Sequence, residues 1–295
     1  MVVAETNPEF ENLSLDVAFD RAAYLRADEQ RLSELLRDSS TRILRIFDGR
    51  FAWVQDSEPR SDPRAPAQTD YFFLGLDENQ VAYFAEHHEH DDPDSAATLR
   101  DNDWPDFERS LATHAVALTN WHGTHPKCPR CGGETHPILS GSVRRCQVDG
   151  TDHHPRSDPA IISLVCDRDD RLLLGRQRTW PERRFSAFAG FVEPGESLED
   201  CLRREIFEEC GLKVERPKYL GSQAWPFPGS LMVAFHVVAI NVGQERADGD
   251  EIAEIKWFTR EQLKIQYERE EVLLPPRISI ARRMIEHWYG GPLER

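Results

Sequence analysis

The chain has 295 residues, more than one typical domain holds and enough to bury a core in each of two. Its 36 Lys and Arg stand against 52 Asp and Glu, a formal net charge of −16, which disfavours general binding to nucleic acid and other polyanions. No run approaches the roughly 18 apolar residues that a membrane-spanning helix needs, and the acidic start MVVAETNPEFENL lacks the basic-then-apolar order of a signal peptide. The expectation is a soluble cytoplasmic protein.

In chain order, residues 41–47, 71–76 and 81–84 are short apolar runs that predict strands, and residues 111–121 have helical spacing. They define an amino-terminal α/β domain over residues 1–124. Within it, residues 56–70 carry three prolines and no periodicity and read as a surface loop. Residues 86–94 (EHHEHDDPD) hold three histidines and five carboxylates, but no spacing orders them as ligands, so they too read as a solvated loop. Residues 125–157 form a compact segment with Cys128, Cys131 and Cys146, a clustering that favours metal ligation; Cys166, Cys201 and Cys210 are scattered and read as plain buried thiols. A further domain spans residues 158–295. It starts with PAIISLVC and LLLGRQ flanking the polar turn DRDDR, a predicted hairpin, and continues through strands at 231–240 and 254–258 to a helix after Pro275 and Pro276.

The densest chemistry lies in GFVEPGESLEDCLRREIFEECGL, residues 190–212. Pro194 and Gly195 turn the chain, Ser197 is a helix N-cap, Glu199 and Asp200 suit the first turn, and Gly211 fits the position after the helix. Leu198, Leu202 and Ile206 form the buried stripe. Glu205, Glu208 and Glu209 stand at i, i+3 and i+4 and project from one patch, where like charges repel by a few tenths of a kcal/mol per pair. Arg204 reaches Glu208 or Glu196, but one guanidinium does not neutralise four carboxylates. Hard divalent cations do, and Mg²⁺ or Mn²⁺ held by carboxylates while binding phosphate oxygens is the usual arrangement.

This segment resembles the Nudix hydrolase signature, Gly-x5-Glu-x7-Arg-Glu-U-x-Glu-Glu-x-Gly-U with U aliphatic, at every specified position: Gly190, Glu196, Arg204, Glu205, Ile206, Glu208, Glu209, Gly211 and Leu212. The resemblance implies an α/β/α sandwich that hydrolyses a nucleoside diphosphate linked to another moiety. It implies that Glu205, Glu208 and Glu209 coordinate metal or activate water, that Glu196 and Arg204 orient them, and that the Ala189 carbonyl completes a metal site. Downstream, GSQAWPFPGSLM (residues 221–232) resembles the SQPWPFPxS array of the NADH pyrophosphatase subfamily, which includes NAD-capped RNA hydrolases, with Ala224 in place of the first proline.

That likeness places the dinucleotide pocket at Gln223, Trp225, Phe227, Ser230 and Met232, with Phe191 stacking on the nicotinamide end. It adds Glu251 as a further metal-binding carboxylate, with Glu254 a nearby alternative, Ala281 near the substrate, and Arg100 as a contact from the amino-terminal domain. CPRCGG followed by Cys146 resembles the subfamily's structural zinc ribbon, with Asp149 where the fourth cysteine is expected; Asp149, His153 or His154 are open as the fourth ligand, as is a metal-free remnant. His154 also takes the place of an aromatic that reaches the substrate of a dimer partner, so a homodimer is expected. The implied activity is hydrolysis of NADH or NAD⁺ to nicotinamide mononucleotide and AMP. Alternatives are ADP-ribose, dinucleoside polyphosphates or NAD-capped RNA as substrate, a nucleotide sensor that binds without cutting, or a zinc-dependent nucleic-acid module. The sensor is disfavoured because every carboxylate of the signature is present; the module would need a basic face.

Overall fold

The computed structural model describes residues 13, 19–47, 49–53, 71–87, 97–100 and 104–294. Residues 56–70 and residues 88–94 of the histidine and acid cluster lie outside these. The chain divides into two compact units, the larger by described residues holding Asp158–Gln223 and Leu231–Arg295, and the smaller Asp16–Ser157 and Ala224–Ser230.

The smaller unit contains α1 (Glu29–Arg37), β1 (Arg42–Phe47), β2 (Arg50–Trp53), β3 (Tyr71–Leu76), β4 (Ala82–His87), α2 (Asp106–Thr124), β5 (Thr135–Ile138), β6 (Val143–Cys146) and β7 (Asp152–His153). Four strands form a sheet in the order β2-β1-β4-β3, with β1 parallel to β4 and the other neighbours antiparallel. Leu32 and Leu35 of α1 pack on Ile43, Phe73 and Phe84. Asp28 caps α1 by accepting from the Arg31 amide at 2.9 Å. Helix α2 buries Leu111, Ala115 and Val116 and packs on β1, β3 and β4. Strands β5-β6-β7 form a separate three-stranded sheet. Its hairpin turn lies against β3: the Phe73 amide donates to the Ser140 carbonyl at 3.2 Å, and a Cβ on Gly141 would stand 2.3 Å from the Phe72 ring.

The larger unit is built on β8 (Asp158–Cys166), β9 (Leu172–Gln177), β10 (Phe188–Phe191), β11 (Val214–Trp225), β12 (Ser230–Ala239) and β13 (Ile252–Phe258), with helices α3 (Leu198–Cys210), α4 (Arg260–Glu268) and α5 (Ile280–Tyr289). The strands run β11-β12-β8-β9-β13, and β10 pairs with β8. Successive side chains of a strand point to opposite faces, and a run apolar on both parities can bury both. In β8, Ile162, Leu164 and Cys166 join one core while Ile161 and Val165 join the other; in β9, Leu172 and Leu174 part from Leu173 in the same way. Cys201, Leu202 and Ile206 of α3 close the second core, and Leu263 of α4 with Ile280, Met284, Ile285 and Trp288 of α5 close the first. The result is the expected α/β/α sandwich. The DRDDR turn closes on Asp167, whose Oδ1 accepts the amides of Asp169 at 3.0 Å and Arg171 at 2.8 Å.

Candidate active site

Strand β10 and helix α3 create the site. Ser197 caps α3 by accepting from the Asp200 amide at 3.1 Å, and Gly211 ends it at φ 72°, a backbone conformation that costs glycine little. Burial of Leu202 and Ile206 fixes the helix rotation, and with it the direction of the three glutamates.

Arg204 is the hub. Its Nε and Nη2 donate to Glu196 at 2.7 and 2.9 Å, its Nη1 to Glu205 at 2.8 Å and to Glu208 at 3.0 Å, and its Nη2 also to the Phe191 carbonyl at 3.0 Å. The fork pins the 191–196 loop to the helix and holds Glu196 down to about 2, chiefly by those hydrogen bonds. Gly190 has a steric reason: a Cβ there would stand 1.9 Å from the Glu205 carboxyl carbon.

Glu209 differs from its neighbours. It is 3% exposed, its Oε2 has no hydrogen-bond partner, and burial, followed by the charges of Glu251, Glu205 and Asp248, pushes it up to about 9. Burial also raises Glu205. An orphaned buried carboxyl oxygen among other carboxylates is a costly arrangement that a hard cation relieves, so the donor set fits a divalent metal. Glu251 acts electrostatically on both Glu205 and Glu209, while Glu254 pairs with Arg176 at 3.3 Å. Of the two alternatives, Glu251 is the one whose charge bears on Glu205 and Glu209. The Ala189 amide, as a hydrogen-bond donor to Glu209, works against its rise.

The other expected residues fall into two groups. Gln223 is 7% exposed and its amide is fully engaged: Nε2 donates to the Ile278 carbonyl at 2.8 Å and Oε1 accepts from the Ile280 amide at 2.6 Å. It braces the start of α5, where Ala281 is 3% exposed, and Met232 packs against the same core. Phe191 is 58% exposed. Trp225, Phe227 and Ser230 belong to the smaller unit. There the Trp225 and Phe227 rings meet edge to face at 5.2 Å, the Arg100 guanidinium lies 4.3 Å from the Phe227 centroid, and Asn120 donates to the Pro226 carbonyl at 3.0 Å. Ser230 is 8% exposed. Asn120 carried no signal in the sequence, since nothing local ties a helical Asn to a loop 106 residues away.

Cys128, Cys131, Cys146 and Asp149 place their ligand atoms within 4.8 Å of one another, a set able to hold a metal ion. The Cys131 and Cys146 sulfurs are 3.5 Å apart, and the amides of Val148 and Asp149 donate to Cys146. Against a desolvation that raises it, the amides of Cys131 and Arg130 hold the Cys128 thiol down to about 7. The Thr151 amide keeps the Asp149 carboxyl well below the usual range. His153 stands outside the set with its buried Nε2 lacking a hydrogen-bond partner, and His154 is exposed and outside it too.

A NUDIX domain model matches residues 156–276. The "NAD-capped RNA hydrolase NudC" of Mycobacterium tuberculosis is 45% identical over 191 residues, 62% of this chain and 61% of that protein. The "NAD-capped RNA hydrolase NUDT12" of Homo sapiens is 34% identical over 233 residues, 74% of this chain and 50% of that protein. The chain thus spans between half and three fifths of the length of these relatives. A crystal structure of a NUDIX hydrolase from Nitrosomonas europaea aligns with a TM-score of 0.43 and 20% identity over 57% of this chain and 96% of that one. No described helix is long and apolar enough to cross a membrane.

Proposed function

We propose that this chain, whose residues 156–276 are a NUDIX domain, hydrolyses the pyrophosphate linkage of NADH or NAD⁺ to nicotinamide mononucleotide and AMP. The observation that carries the chemistry is the buried, unpaired Glu209 oxygen beside Glu205 and Glu251, with Arg204 holding the outer carboxylates in place. Glu205, Glu208, Glu209, Glu251 and the Ala189 carbonyl would hold Mg²⁺ or Mn²⁺, which would neutralise pyrophosphate charge and acidify a water. Glu196 and Arg204 keep those donors oriented, and Glu208, the most exposed of the three helix glutamates, takes up the proton that the attacking water releases. Water adds across the P–O–P bridge, one phosphate gaining the hydroxyl and the other leaving as a monoester.

The substrate is supported by the Gln223 to Met232 array and by the names of the relatives. NAD-capped RNA, which those names specify, is the second reading. Phe191, 58% exposed, is the proposed nicotinamide platform, and Trp225, Phe227 and Ser230 are proposed substrate contacts. The proposal extends to structural zinc at Cys128, Cys131, Cys146 and Asp149, a homodimer with His154 at the partner's substrate, a cytoplasmic setting, and functional divisions at residues 124 and 157.

The test is incubation of the purified chain with Mg²⁺ or Mn²⁺ and, separately, NADH, NAD⁺, ADP-ribose, diadenosine polyphosphate and NAD-capped RNA, with products separated chromatographically beside Glu208→Gln. NADH or NAD⁺ cleaved to the mononucleotide and AMP, with the variant inactive, is the expected result. Faster cleavage of ADP-ribose or a polyphosphate would overturn the substrate, and no cleavage at all would overturn the enzyme.

A further inference from the structure

Positions 226 and 228 are prolines, so the turn that carries Trp225 and Phe227 keeps every backbone carbonyl but lacks two N–H donors. Within the turn, the Phe227 amide satisfies the Trp225 carbonyl at 2.8 Å. The same step along the chain offers the Pro226 carbonyl nothing, because the residue two on is Pro228. Its donor comes from far away in the sequence: Asn120 Nδ2 donates to the Pro226 carbonyl at 3.0 Å.

Asn120 lies near the end of α2, and the burial of Leu118 and Trp121 fixes the rotation of the helix there and so the direction of its amide. Asn is a weak helix former, since its side chain competes for backbone groups, and here the competing amide is spent on another segment. Arg100 makes a second hold: its guanidinium lies 4.3 Å from the Phe227 centroid and 5.4 Å from that of Trp225. Arg100 clamps the side chains of the turn and Asn120 its backbone. All of these residues belong to the smaller unit, whereas Arg204, Glu205, Glu208, Glu209 and Glu251 belong to the larger.

We infer that Asn120 is a positioning residue for substrate affinity: by holding the Pro226 carbonyl it fixes the turn that presents Trp225 and Phe227, and it leaves the hydrolytic step unaltered. A turn fixed before the ligand arrives lowers the ordering cost of binding. Asn120 has no bond to any group that holds metal or moves a proton, so its loss removes binding common to the ground and transition states, which raises KM and spares kcat. The inference rests on the reading of this turn as a substrate contact.

The test compares the full-length parent with Asn120→Leu and with Asn120→Asp, which keeps the shape and sets a second acceptor against the Pro226 carbonyl. NADH hydrolysis in Mg²⁺ gives KM and kcat, and equilibrium dialysis against NADH in a Glu208→Gln background gives Kd. Thr119→Val is the structural control, since its hydroxyl bonds the Ala115 and Val116 carbonyls of its own helix. KM and Kd should rise about tenfold in both Asn120 variants, with kcat within about twofold of the parent and Thr119→Val unchanged in all three. Unchanged KM and Kd in the folded Asn120 variants, a fall in kcat at constant KM, or an equal rise in KM from Thr119→Val would each overturn the inference. Asn120→Asp decides the matter if Asn120→Leu fails to fold. A parent that binds NADH without cleaving it would overturn the hydrolysis and leave the Kd ratio to judge Asn120; a parent that does neither would overturn both.

Discussion

Arg144 Nη1 donates to His122 Nδ1 at 2.8 Å, so the imidazole carries its proton on Nε2, which reaches the Gly141 carbonyl at 2.8 Å. The remaining Arg144 nitrogens bond the Thr135 hydroxyl and carbonyl. A buried arginine is satisfied here without any carboxylate, and the chain joins α2, β5 and β6 around a neutral histidine.

That neutrality makes stability depend on pH. Burial, with Arg144 adding to it, lowers His122 to about 4, and burial lowers His114 to about 3. Both are neutral when folded and titrate near 6.5 when unfolded, so the unfolded chain binds more protons below 6.5 and the contribution, complete above that pH, is lost as pH falls toward 4. His122 alone should cost on the order of 1–2 kcal/mol between pH 7 and pH 5. Urea unfolding at both values should show the loss, and His122→Gln should shrink it; an unchanged difference in the variant would remove His122 as its source.

Glu209 carries the opposite sign. Raised to about 9 when folded and near 4.5 when unfolded, it makes the metal-free protein less stable as pH rises through that interval. Glu209→Gln should therefore leave the metal-free melting temperature at pH 7.5 equal or higher, while abolishing the rise that saturating Mg²⁺ or Mn²⁺ gives the parent, about 2.7 kcal/mol at a hundredfold excess over Kd. A variant that still gains stability from the metal would show that Glu209 is not a ligand.

Gly190→Ala puts a methyl group where the Glu205 carboxyl stands. Glu205 is tied to Arg204, so the clash displaces the cluster rather than one rotamer. A loss of activity on the order of 10²-fold is expected, with 1–3 kcal/mol of destabilisation from overpacking. Near-normal turnover by the alanine variant would mean that Glu205 can move freely.

Gln223→Leu should destabilise the larger unit by about 2 kcal/mol, because it strips the Ile278 carbonyl and Ile280 amide of their partners. Limited proteolysis should nick the variant near the start of α5 first. Intact stability combined with a raised KM would instead make Gln223 a substrate contact.

The fourth ligand of the cysteine cluster can be assigned by metal analysis. The parent should retain zinc through gel filtration, Asp149→Ala should lose it and His153→Ala should keep it. The reverse pattern would move the fourth position to the histidine.

The larger unit was legible because its determinants are local or periodic: Leu202 and Ile206 set the rotation of α3, and the doubly apolar runs of β8 and β9 announce a strand buried on both faces. Strand β10 escaped notice because FAGF has no alternation, and its pairing with β8 is fixed only by tertiary register. Helix α1 is rich in charge and buries just two leucines. The aromatic pair of Trp225 and Phe227 was visible, but its capping by Arg100 was not, since a stacking partner 127 residues away in Phe227's case leaves no local pattern. Gln223 was singled out for the right polarity and given a ligand to hold; the fold spends both ends of its amide on backbone.

Strand β8 feeds two cores through residues of opposite parity, Ile161 and Val165 toward α3, Ile162 and Leu164 toward α4 and α5. A deletion of one residue near its start would send each of these side chains to the wrong helix layer, and neither layer offers a polar surface to receive the error. Length variation among proteins built this way should therefore gather in the turn at 167–171 and in the loops, and pass over the strand itself, where the reading frame of the chain has become a structural constraint.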